Sequence, residues 1–393
     1  MADISLKFVS QKISKIRWRP TAKESLQHSQ IFATGSWDDD DNKICLWKLD
    51  DSSAGDISLQ DSAWAAENEP KLLCDVQHVG DVMALEFVGV EQLVSSSSTG
   101  SVSLYRYHPN SRTLSLAHQW PGLHHYPRKR CPCTCVAPRG DEMVATGGED
   151  GRIVLLHLEH KTPVRIIEKG DSCTINDVLF MKQTEIVTVN TAGQLKLFDI
   201  RQNTDEAAKT YSVSGEDPVP LQCVAKHPGQ HHIVATGGED GMLCIWDLRQ
   251  EHYPINPLQA HSATLWEVKF HPSSPDNLFT CSDDGSVWHW DGTAVNASVS
   301  MAATPSLLSA TVTGAGAGGG ALSSSRLSMA SGAPTSGLAS PWLASNISHQ
   351  KLKVTELIPA DSLPVNSIDI ENNMLLCGSD NEAVYSVSNL VIR

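Results

Sequence analysis

One eight-residue string, VATGGEDG, occurs twice in this chain of 393 residues, at 144–151 and again at 234–241. Each copy leads into a short apolar run, IVLLHL in the first case and MLCIWDL in the second. An apolar strand, a turn rich in Gly and Asp and a second apolar strand are typical of a β-hairpin. The repetition indicates a chain built from copies of one supersecondary unit.

Looser forms of the same hairpin bring the number of copies to seven. They span residues 31–49, 93–107, 143–158, 186–201, 233–249, 278–292 and 374–387. The turn glycines from Gly100 to Gly285 recur at intervals of 42 to 51 residues. A period of about 40–50 residues built from strand pairs is typical of the four-stranded blades of a propeller. The sequence therefore predicts an all-β protein, a seven-bladed β-propeller that forms a single domain over residues 1–393.

The two ends of the chain predict how such a ring closes. Only SNLVIR follows the seventh hairpin, which is too short for another strand of that blade. ISLKFVS at residues 4–10 precedes the first blade and belongs to no blade of its own. We expect this N-terminal strand to be the outer strand of the last blade, where it would remove exposed sheet edges.

A long segment at residues 294–349 does not fit the repeat. It is rich in Ala, Gly and Ser and has almost no charged or aromatic residues, so it cannot bury enough surface to order itself. The sequence predicts a flexible insertion between the third and outer strands of blade six. Its GAGAGGG run lacks the Lys-Ser or Lys-Thr pair of a phosphate-binding loop.

Charge and cysteine content narrow the class of protein. The chain has 45 acidic and 30 basic residues and a formal net charge of −15, which disfavours direct binding of nucleic acid. It shows no signal peptide and no run of 18 apolar residues, so we expect a soluble intracellular protein without membrane insertion. Most of the ten cysteines in such a chain are expected to be reduced thiols.

The loop HHYPRKRCPCTC at residues 124–135 contains three alternating cysteines, Cys131, Cys133 and Cys135. A closed zinc site needs four ligands, and no C-x-x-C occurs, so reduced thiols are favoured over a metal site. The PRKR run in the same loop is interpreted as a solvated basic loop in preference to a nuclear-import signal.

Catalytic motifs are missing from the sequence. There is no nucleophile elbow, no H-E-x-x-H and no Walker motif, and the carboxylates cluster in hairpin turns, where Asp is favoured for backbone reasons. The run Asp38–Asp41 lacks the spaced oxygens and glycine of a calcium loop. We therefore expect no catalytic residue, cofactor or metal, and a platform that binds other proteins.

The tripeptides IWD at 245–247 and HWD at 289–291 resemble the signature of the WD-repeat family of β-propellers. In that family His, Ser or Thr, Asp and Trp form a hydrogen-bonded tetrad within a blade, which satisfies buried polar groups. The resemblance implies the following tetrad residues in blade six: His261, Thr280, Asp284 and Trp290. It implies an incomplete set without His in blade five: Thr236, Asp240 and Trp246.

Longer stretches, such as HPGQHHIVATGGEDGMLCIWDLRQ, resemble the propeller nucleoporins of the Y-shaped outer-ring complex of the nuclear pore. This resemblance covers all seven blades and omits the 294–349 insertion and the PRKRCPCTC loop. It implies a scaffold at the nuclear envelope that docks on an α-solenoid nucleoporin of the short arm of the Y and contacts other outer-ring nucleoporins. It also implies roles in mRNA and protein transport and association with kinetochores in mitosis.

A rival hypothesis concerns FDIR at 198–201 and WDLR at 246–249, which end two consecutive blades. They resemble the motif by which WD-repeat substrate receptors dock on the adaptor of a cullin-type ubiquitin ligase. Arg201 and Arg249 would then make charge-assisted contacts with the adaptor. The favoured alternative is that each Arg pairs with the Asp of its own turn.

Four tryptophans lie outside the tetrad positions: Trp37, Trp64, Trp120 and Trp342. Each could anchor an interface or pack on the rim of the propeller. Trp37, beside the acidic turn of blade one, is the predicted partner contact.

Overall fold

The computed structural model describes residues 2–21, 29–49, 69–213, 218–250, 253–293, 340–344 and 352–392. These residues form thirty β-strands and one short 3-10 helix, Pro341–Leu343. Twenty-eight of the strands make seven four-stranded antiparallel sheets, and the other two make a small hairpin. The prediction of a seven-bladed β-propeller is confirmed. Among the described residues, no helix has the length and apolar character needed to cross a membrane.

The first half of the chain forms β1 and three blades. The first strand, β1, is Asp3–Phe8. Blade one contains β2–β5, which are Ile13–Trp18, Ile31–Ser36, Lys43–Lys48 and Lys71–Gln77. Blade two contains β6–β9, which are Val82–Val88, Gln92–Ser97, Val102–His108 and Thr113–Trp120. The small hairpin consists of β10 and β11, His125–Tyr126 and Lys129–Arg130. Blade three contains β12–β15, which are Cys133–Arg139, Met143–Gly148, Ile153–His157 and Arg165–Ile167.

The second half forms the remaining four blades. Blade four contains β16–β19, which are Ile175–Lys182, Glu185–Asn190, Gln194–Asp199 and Lys209–Ser212. Blade five contains β20–β23, which are Leu221–Lys226, Ile233–Gly238, Met242–Asp247 and Asn256–Gln259. Blade six contains β24–β27, which are Leu265–Phe270, Asn277–Ser282, Val287–Asp291 and Lys353–Ile358. Blade seven adds β28–β30, which are Val365–Glu371, Met374–Ser379 and Ala383–Ser388.

The repeated string VATGGEDG forms most of the second strand and the following turn in blades three and five, and the packing of these strands explains its residues. All six residues of β13 and of β21 are buried, because neighbouring blades cover both faces of these strands. A Cβ atom on Gly147 would lie 2.7 Å from Ile175 Cγ2 of the next blade, and one on Gly237 would lie 2.4 Å from Leu265 Cδ2. Glycine therefore lets the first strand of the following blade pack closely. The last glycine of each copy turns the hairpin with a positive φ, 73° at Gly151 and 77° at Gly241.

The ring closes through the N-terminal strand, as predicted. β1 pairs antiparallel with β30, from Asp3 opposite Ser388 to Phe8 opposite Ala383, and it completes blade seven as the outer strand. The first strand of each blade packs against the first strand of the next, and β28 of blade seven packs against β2 of blade one. Both chain termini are thus held in one blade.

The predicted insertion leaves the sheet between the third and outer strands of blade six, since β26 and β27 pair antiparallel across it. Its residues 294–339 and 345–349 lie outside the described residues, so their flexibility stays a prediction. The described residues 340–344 include Trp342, which is fully buried in the core cluster shared by blades five and six. Trp342 Nε1 donates a hydrogen bond to Pro275 O at 2.8 Å, and the ring packs edge-on against Phe270.

Candidate functional site

Blade six brings together the four residues predicted for its tetrad. His261 Nε2 lies 2.8 Å from Thr280 Oγ1, and that hydroxyl also accepts a hydrogen bond from Trp290 Nε1 at 3.0 Å. Asp284 Oδ1 accepts from Ser286 Oγ at 2.6 Å, and Ser286 Oγ lies 2.9 Å from His261 Nδ1. The direct distance from His261 Nδ1 to Asp284 Oδ1 is 3.4 Å. A proton on Nδ1 satisfies the whole network, and Ser286 is a member of it that the sequence did not reveal.

Blade five has a shorter version of the network. Trp246 Nε1 donates to Thr236 Oγ1 at 2.9 Å, which satisfies the buried indole N–H. Asp240 lies on the surface of the hairpin turn, where its Oδ1 accepts the backbone N–H of Met242 at 3.0 Å. Asp240 therefore caps the turn.

Blades one and three contain network residues that the sequence analysis missed. In blade one, Trp47 Nε1 donates to Thr34 Oγ1 at 2.9 Å. In blade three, His124 Nδ1 lies 2.9 Å from Asp150 Oδ1, and its Nε2 lies 2.9 Å from Thr146 Oγ1. His124 reads as a loop residue in the sequence because the β10–β11 hairpin lengthens the stretch between the histidine and its blade. The signal that could have found it is the spacing from His to the Thr of the second strand, 22 residues here and 19 in blade six.

The two buried histidines of blades three and six titrate in opposite directions. Burial lowers the pKa of His261, and Asp284 only partly opposes this effect. Burial also acts against the charged form of His124, but Cys133 and Asp150 outweigh it and raise the pKa of His124 to about 9. Blade six therefore holds a neutral imidazole, whereas blade three holds a protonated one at neutral pH.

The central channel contains a buried ion cluster that sequence patterns did not predict. Arg17 of β2 donates from Nε to Glu86 Oε1 at 2.7 Å and from Nη2 to Glu267 Oε1 at 2.8 Å. Lys15 Nζ lies 2.9 Å from the same Glu267 oxygen, and Ser367 of blade seven donates to its Oε2 at 3.1 Å. Burial would raise the pKa of Glu267, but Arg17 and Lys15 hold it well below its usual range. The cluster joins four blades around the channel.

The two arginines of the rival hypothesis are each held by the aspartate of their own turn. Arg201 donates to Asp199 from Nε at 3.0 Å and from Nη2 at 2.7 Å. Arg249 donates to Asp247 from Nε at 2.9 Å and from Nη2 at 2.6 Å. Their side chains remain 69% and 62% exposed, and both turns follow third strands, so they lie on the same face of the ring. A second planar acceptor could still reach either guanidinium.

Trp37 joins blade one to blade seven. Its Nε1 donates to Asp380 Oδ1 at 2.9 Å, and its ring is half-buried. The exposed part of the ring lines a shallow acidic depression with Asp38, Asp39 and Asp81. The indole therefore has an internal role and a surface that a partner could contact.

The other residues singled out from the sequence are mostly buried. Trp120 is buried and donates to His160 O at 3.1 Å, which is rim packing, as for Trp342; Trp64 lies outside the described residues. The side chains of Cys131, Cys133 and Cys135 are buried free thiols, and Lys129–Arg130 is an exposed strand of the small hairpin. Over the part of the chain that the structure describes, no three His, Cys, Asp or Glu side chains are grouped in a way that could hold a metal ion.

The ring of four-stranded blades and the Trp–Thr networks define a WD-repeat β-propeller. The family model "WD domain, G-beta repeat" matches residues 208–247 and 252–291, each of which combines the outer strand of one blade with three strands of the next.

Nucleoporin Nup43 of Mus musculus is 45% identical over 391 residues, which cover 98% of each chain. The Homo sapiens protein of the same name is 45% identical over 399 residues, 99% of this chain and 100% of that protein. The nuclear pore complex protein nup43 of Dictyostelium discoideum is 30% identical over 153 residues, 37% of this chain and 34% of that protein. The chain belongs to the Nup43 family of nucleoporins.

Proposed function

We propose that this chain is a non-enzymatic scaffold subunit of the nuclear pore complex, within its Y-shaped outer-ring subcomplex. Its partners would be an α-solenoid nucleoporin of the short arm and other outer-ring nucleoporins. The observation that carries the proposal is 45% identity to mouse Nucleoporin Nup43 over 98% of the chain, a span that includes strands of every blade. The chain would reside at the nuclear envelope, support pore assembly and transport of mRNA and protein, and join kinetochores in mitosis.

The geometry supports a role in binding over a role in catalysis. The buried charges of the central channel, Arg17 and Glu267, form hydrogen bonds that join blades to one another. The buried histidines of blades three and six bond to hydroxyl and carboxylate groups of their own blades. A closed ring with internal cross-links is a rigid frame that holds its surface loops in fixed relative positions, which suits simultaneous contacts with several proteins.

Affinity capture of the tagged full chain from interphase cells tests this proposal. We expect helical outer-ring nucleoporins in amounts comparable to the bait, and tagged protein at the nuclear rim. The bait must be folded, and the extract must contain nuclear-envelope proteins. If no helical nucleoporin is recovered under these conditions, the proposal is contradicted.

A substrate receptor of a cullin-type ubiquitin ligase is a second candidate function. It is favoured by the two exposed guanidinium groups of Arg201 and Arg249, which their aspartates orient in the same way on one face. The double variant Arg201→Ala with Arg249→Ala tests it in the same capture experiment. Lys161→Ala is the matched control, because Lys161 is an exposed cation in the corresponding turn of blade three.

The receptor function requires that the double variant lose a ligase adaptor while the control retains it. The scaffold function alone predicts that both variants recover the same nucleoporins and that no adaptor is present with the parent chain. The adaptor would be identified by mass spectrometry of the captured material.

Trp37 remains the proposed partner contact on the opposite face, and two variants separate its roles. Trp37→Phe removes the hydrogen bond to Asp380 but retains an aromatic ring, whereas Trp37→Ala removes both. If the ring binds a partner, only the Ala variant loses that partner in the capture experiment. Equal recovery with both variants, at normal melting temperature, would show that Trp37 is not a contact.

A further inference from the structure

The outer strand of blade seven carries an exposed row of apolar side chains. Ile4, Leu6 and Phe8 of β1 alternate along the strand and are 50%, 42% and 64% exposed. β1 is the end strand of its sheet, so its outer backbone edge has no partner strand among the described residues. The corresponding strand of blade six exposes Lys353 and Glu356 instead. Charges of that kind protect sheet edges from pairing, and the exposed row of β1 lacks them.

This row continues a buried surface. Ile4 lies opposite Val387 and Leu6 lies opposite Tyr385 in the antiparallel pair of β1 and β30. Val387 and Tyr385 belong to the apolar cluster between blades six and seven. Directly opposite residues of a sheet share a face, so the row extends this cluster outward to the rim.

The backbone of the same residues points toward the free edge. The Val9 N–H donates to Glu382 O, one step beyond the last pair of β1 with β30. Hydrogen-bonded and non-hydrogen-bonded pairs alternate in an antiparallel ladder, so odd-numbered residues of β1 bond to β30. The N–H and C=O groups of Ile4, Leu6 and Phe8 therefore face outward, and an added strand could bond to them.

The sequence of β1 is complementary to itself in the antiparallel direction. With Ser5 opposite Ser5 of a second copy, Ile4 lies opposite the partner's Leu6, and Asp3 lies opposite the partner's Lys7. Ile4 and Leu6 are even-numbered, so the outward backbone groups of the two strands meet in this register. A shift by one residue would place outward groups against inward ones and apolar side chains against polar ones.

We propose that β1 is a homodimer interface, in which two copies of this chain pair their β1 strands antiparallel about Ser5. The pairing joins blade seven of each ring into an eight-stranded sheet across a two-fold axis, which is the isologous arrangement expected for a dimer. Ile4 and Leu6 of each copy then lie beside Leu6 and Ile4 of the other, Phe8 lies opposite Ala2, and the two Asp3–Lys7 contacts fix the register. In the single chain the Lys7 side chain bonds to Glu69 at 2.7 Å on the surface. In the dimer the partner's Asp3 can replace Glu69 as the acid that pairs with Lys7.

Sedimentation of the full chain over a range of concentrations tests the dimer, and a charge-swap cycle tests its register. Asp3→Lys places a lysine opposite the partner's Lys7, and Lys7→Asp places an aspartate opposite the partner's Asp3, so each single swap creates two like-charge pairs in the dimer. Each single swap should raise the dimer dissociation constant, on the order of fivefold. The double swap restores opposite charges and should return the constant close to that of the parent.

Two further measurements guard against indirect effects. Leu6→Lys should abolish the dimer at concentrations where the parent is dimeric, whereas Leu116→Lys, an exposed apolar position on the outer strand of blade two, should not. The melting temperature of each variant must stay near that of the parent at the concentration used. In hydrogen exchange, the Leu6 amide should gain protection as the protein concentration rises, while the Lys7 amide should be protected throughout.

A chain that sediments as a monomer at the highest soluble concentration would overturn the proposal and leave the row to a strand of another protein. A dimer that is insensitive to Leu6→Lys, or whose double swap is as weak as the single swaps, would also overturn it.

Discussion

At the scale of single residues, one hydroxyl group holds the tetrad of blade six together. Thr280 Oγ1 contacts both His261 Nε2 and Trp290 Nε1, and all three side chains are buried. The equivalent position in blade four is Thr188, ten residues before Phe198, and its hydroxyl has no hydrogen-bond partner among the described residues. The same residue type thus has opposite energetic roles at equivalent positions of two blades.

Replacement of these two threonines by the isosteric valine is expected to separate those roles. Thr280→Val leaves the indole N–H of Trp290 buried without an acceptor and should lower the free energy of unfolding by about 1–3 kcal/mol. Thr188→Val removes an unpaired hydroxyl and should be neutral or slightly stabilising. Denaturant unfolding of both variants measures the difference, and equal losses at the two positions would contradict the network.

The buried histidines give the protein two opposing pH dependences. The folded-state pKa of His124 is raised to about 9, above the ordinary value of about 6.5, so its stabilising contribution is complete below pH 6.5 and is lost as pH rises through 9. The pKa of His261 is lowered, so its contribution is complete above about pH 6.5 and is lost as pH falls below that value.

Asp150→Asn tests the blade-three half of this pattern. The variant removes the carboxylate that holds the proton of His124, and it should cost about 1–3 kcal/mol at pH 6 to 7. The difference from the parent should shrink toward pH 10, where His124 is neutral in both proteins. Melting temperatures measured across this range give the result; a difference that does not change with pH would show that the imidazole is neutral in the fold.

At the scale of the elements, the strand pairs were predictable because their determinants are local. The glycine that admits the next blade and the glycine that turns the hairpin both lie within the repeated string, so the hairpins of blades three and five could be identified directly and the other five from looser forms of the string. The ordered turn around Trp342 could not, since it lies within a low-complexity segment and its partners, Phe270 and Pro275, are distant in sequence. Local composition therefore predicted flexibility for residues 340–344, although packing against residues distant in the sequence holds them in place.

Trp342 is expected to fasten this segment to the groove between blades five and six. Trp342→Ala should lower the free energy of unfolding by about 3–5 kcal/mol, because it leaves a large cavity in a closely packed cluster. Trp342→Phe retains most of the packing and loses the bond to Pro275 O, so it should cost less. Denaturant unfolding compares the two, and a loss below 1 kcal/mol for the Ala variant would show that the segment is only loosely held.

At the scale of the whole molecule, the channel cluster shows what sequence reasoning could not reach. Arg17, Glu86 and Glu267 come from three blades and lie up to 250 positions apart, so no pattern in the sequence connects them. The exposed arginines, Arg201 and Arg249, were found from a motif. Only the structure showed that each side chain pairs with the Asp of its own turn and still remains mostly exposed to solvent. The closure of the ring, by contrast, was predictable, because the sequence lacked one strand at its end and had a spare one at its start.

Closure by β1 is the central physical claim, since a rigid docking frame depends on it. β1 and β30 lie side by side with Asp3 opposite Ser388, so the start of β1 is close to the end of the chain. The strand can therefore be moved to the other terminus without changing its place in the sheet. A permuted chain that begins at Lys12 and carries residues 2–10 after Arg393, through a short Gly-Ser linker, retains all seven complete blades.

Thermal unfolding of the parent, the permuted chain and a chain that lacks residues 2–10 is the most direct measurement. Closure by β1 predicts one cooperative transition for the permuted chain within a few degrees of the parent, and a melting temperature roughly 5–10 °C lower for the truncated chain. A truncated chain that melts with the parent, or a permuted chain that melts with the truncated one, would contradict it.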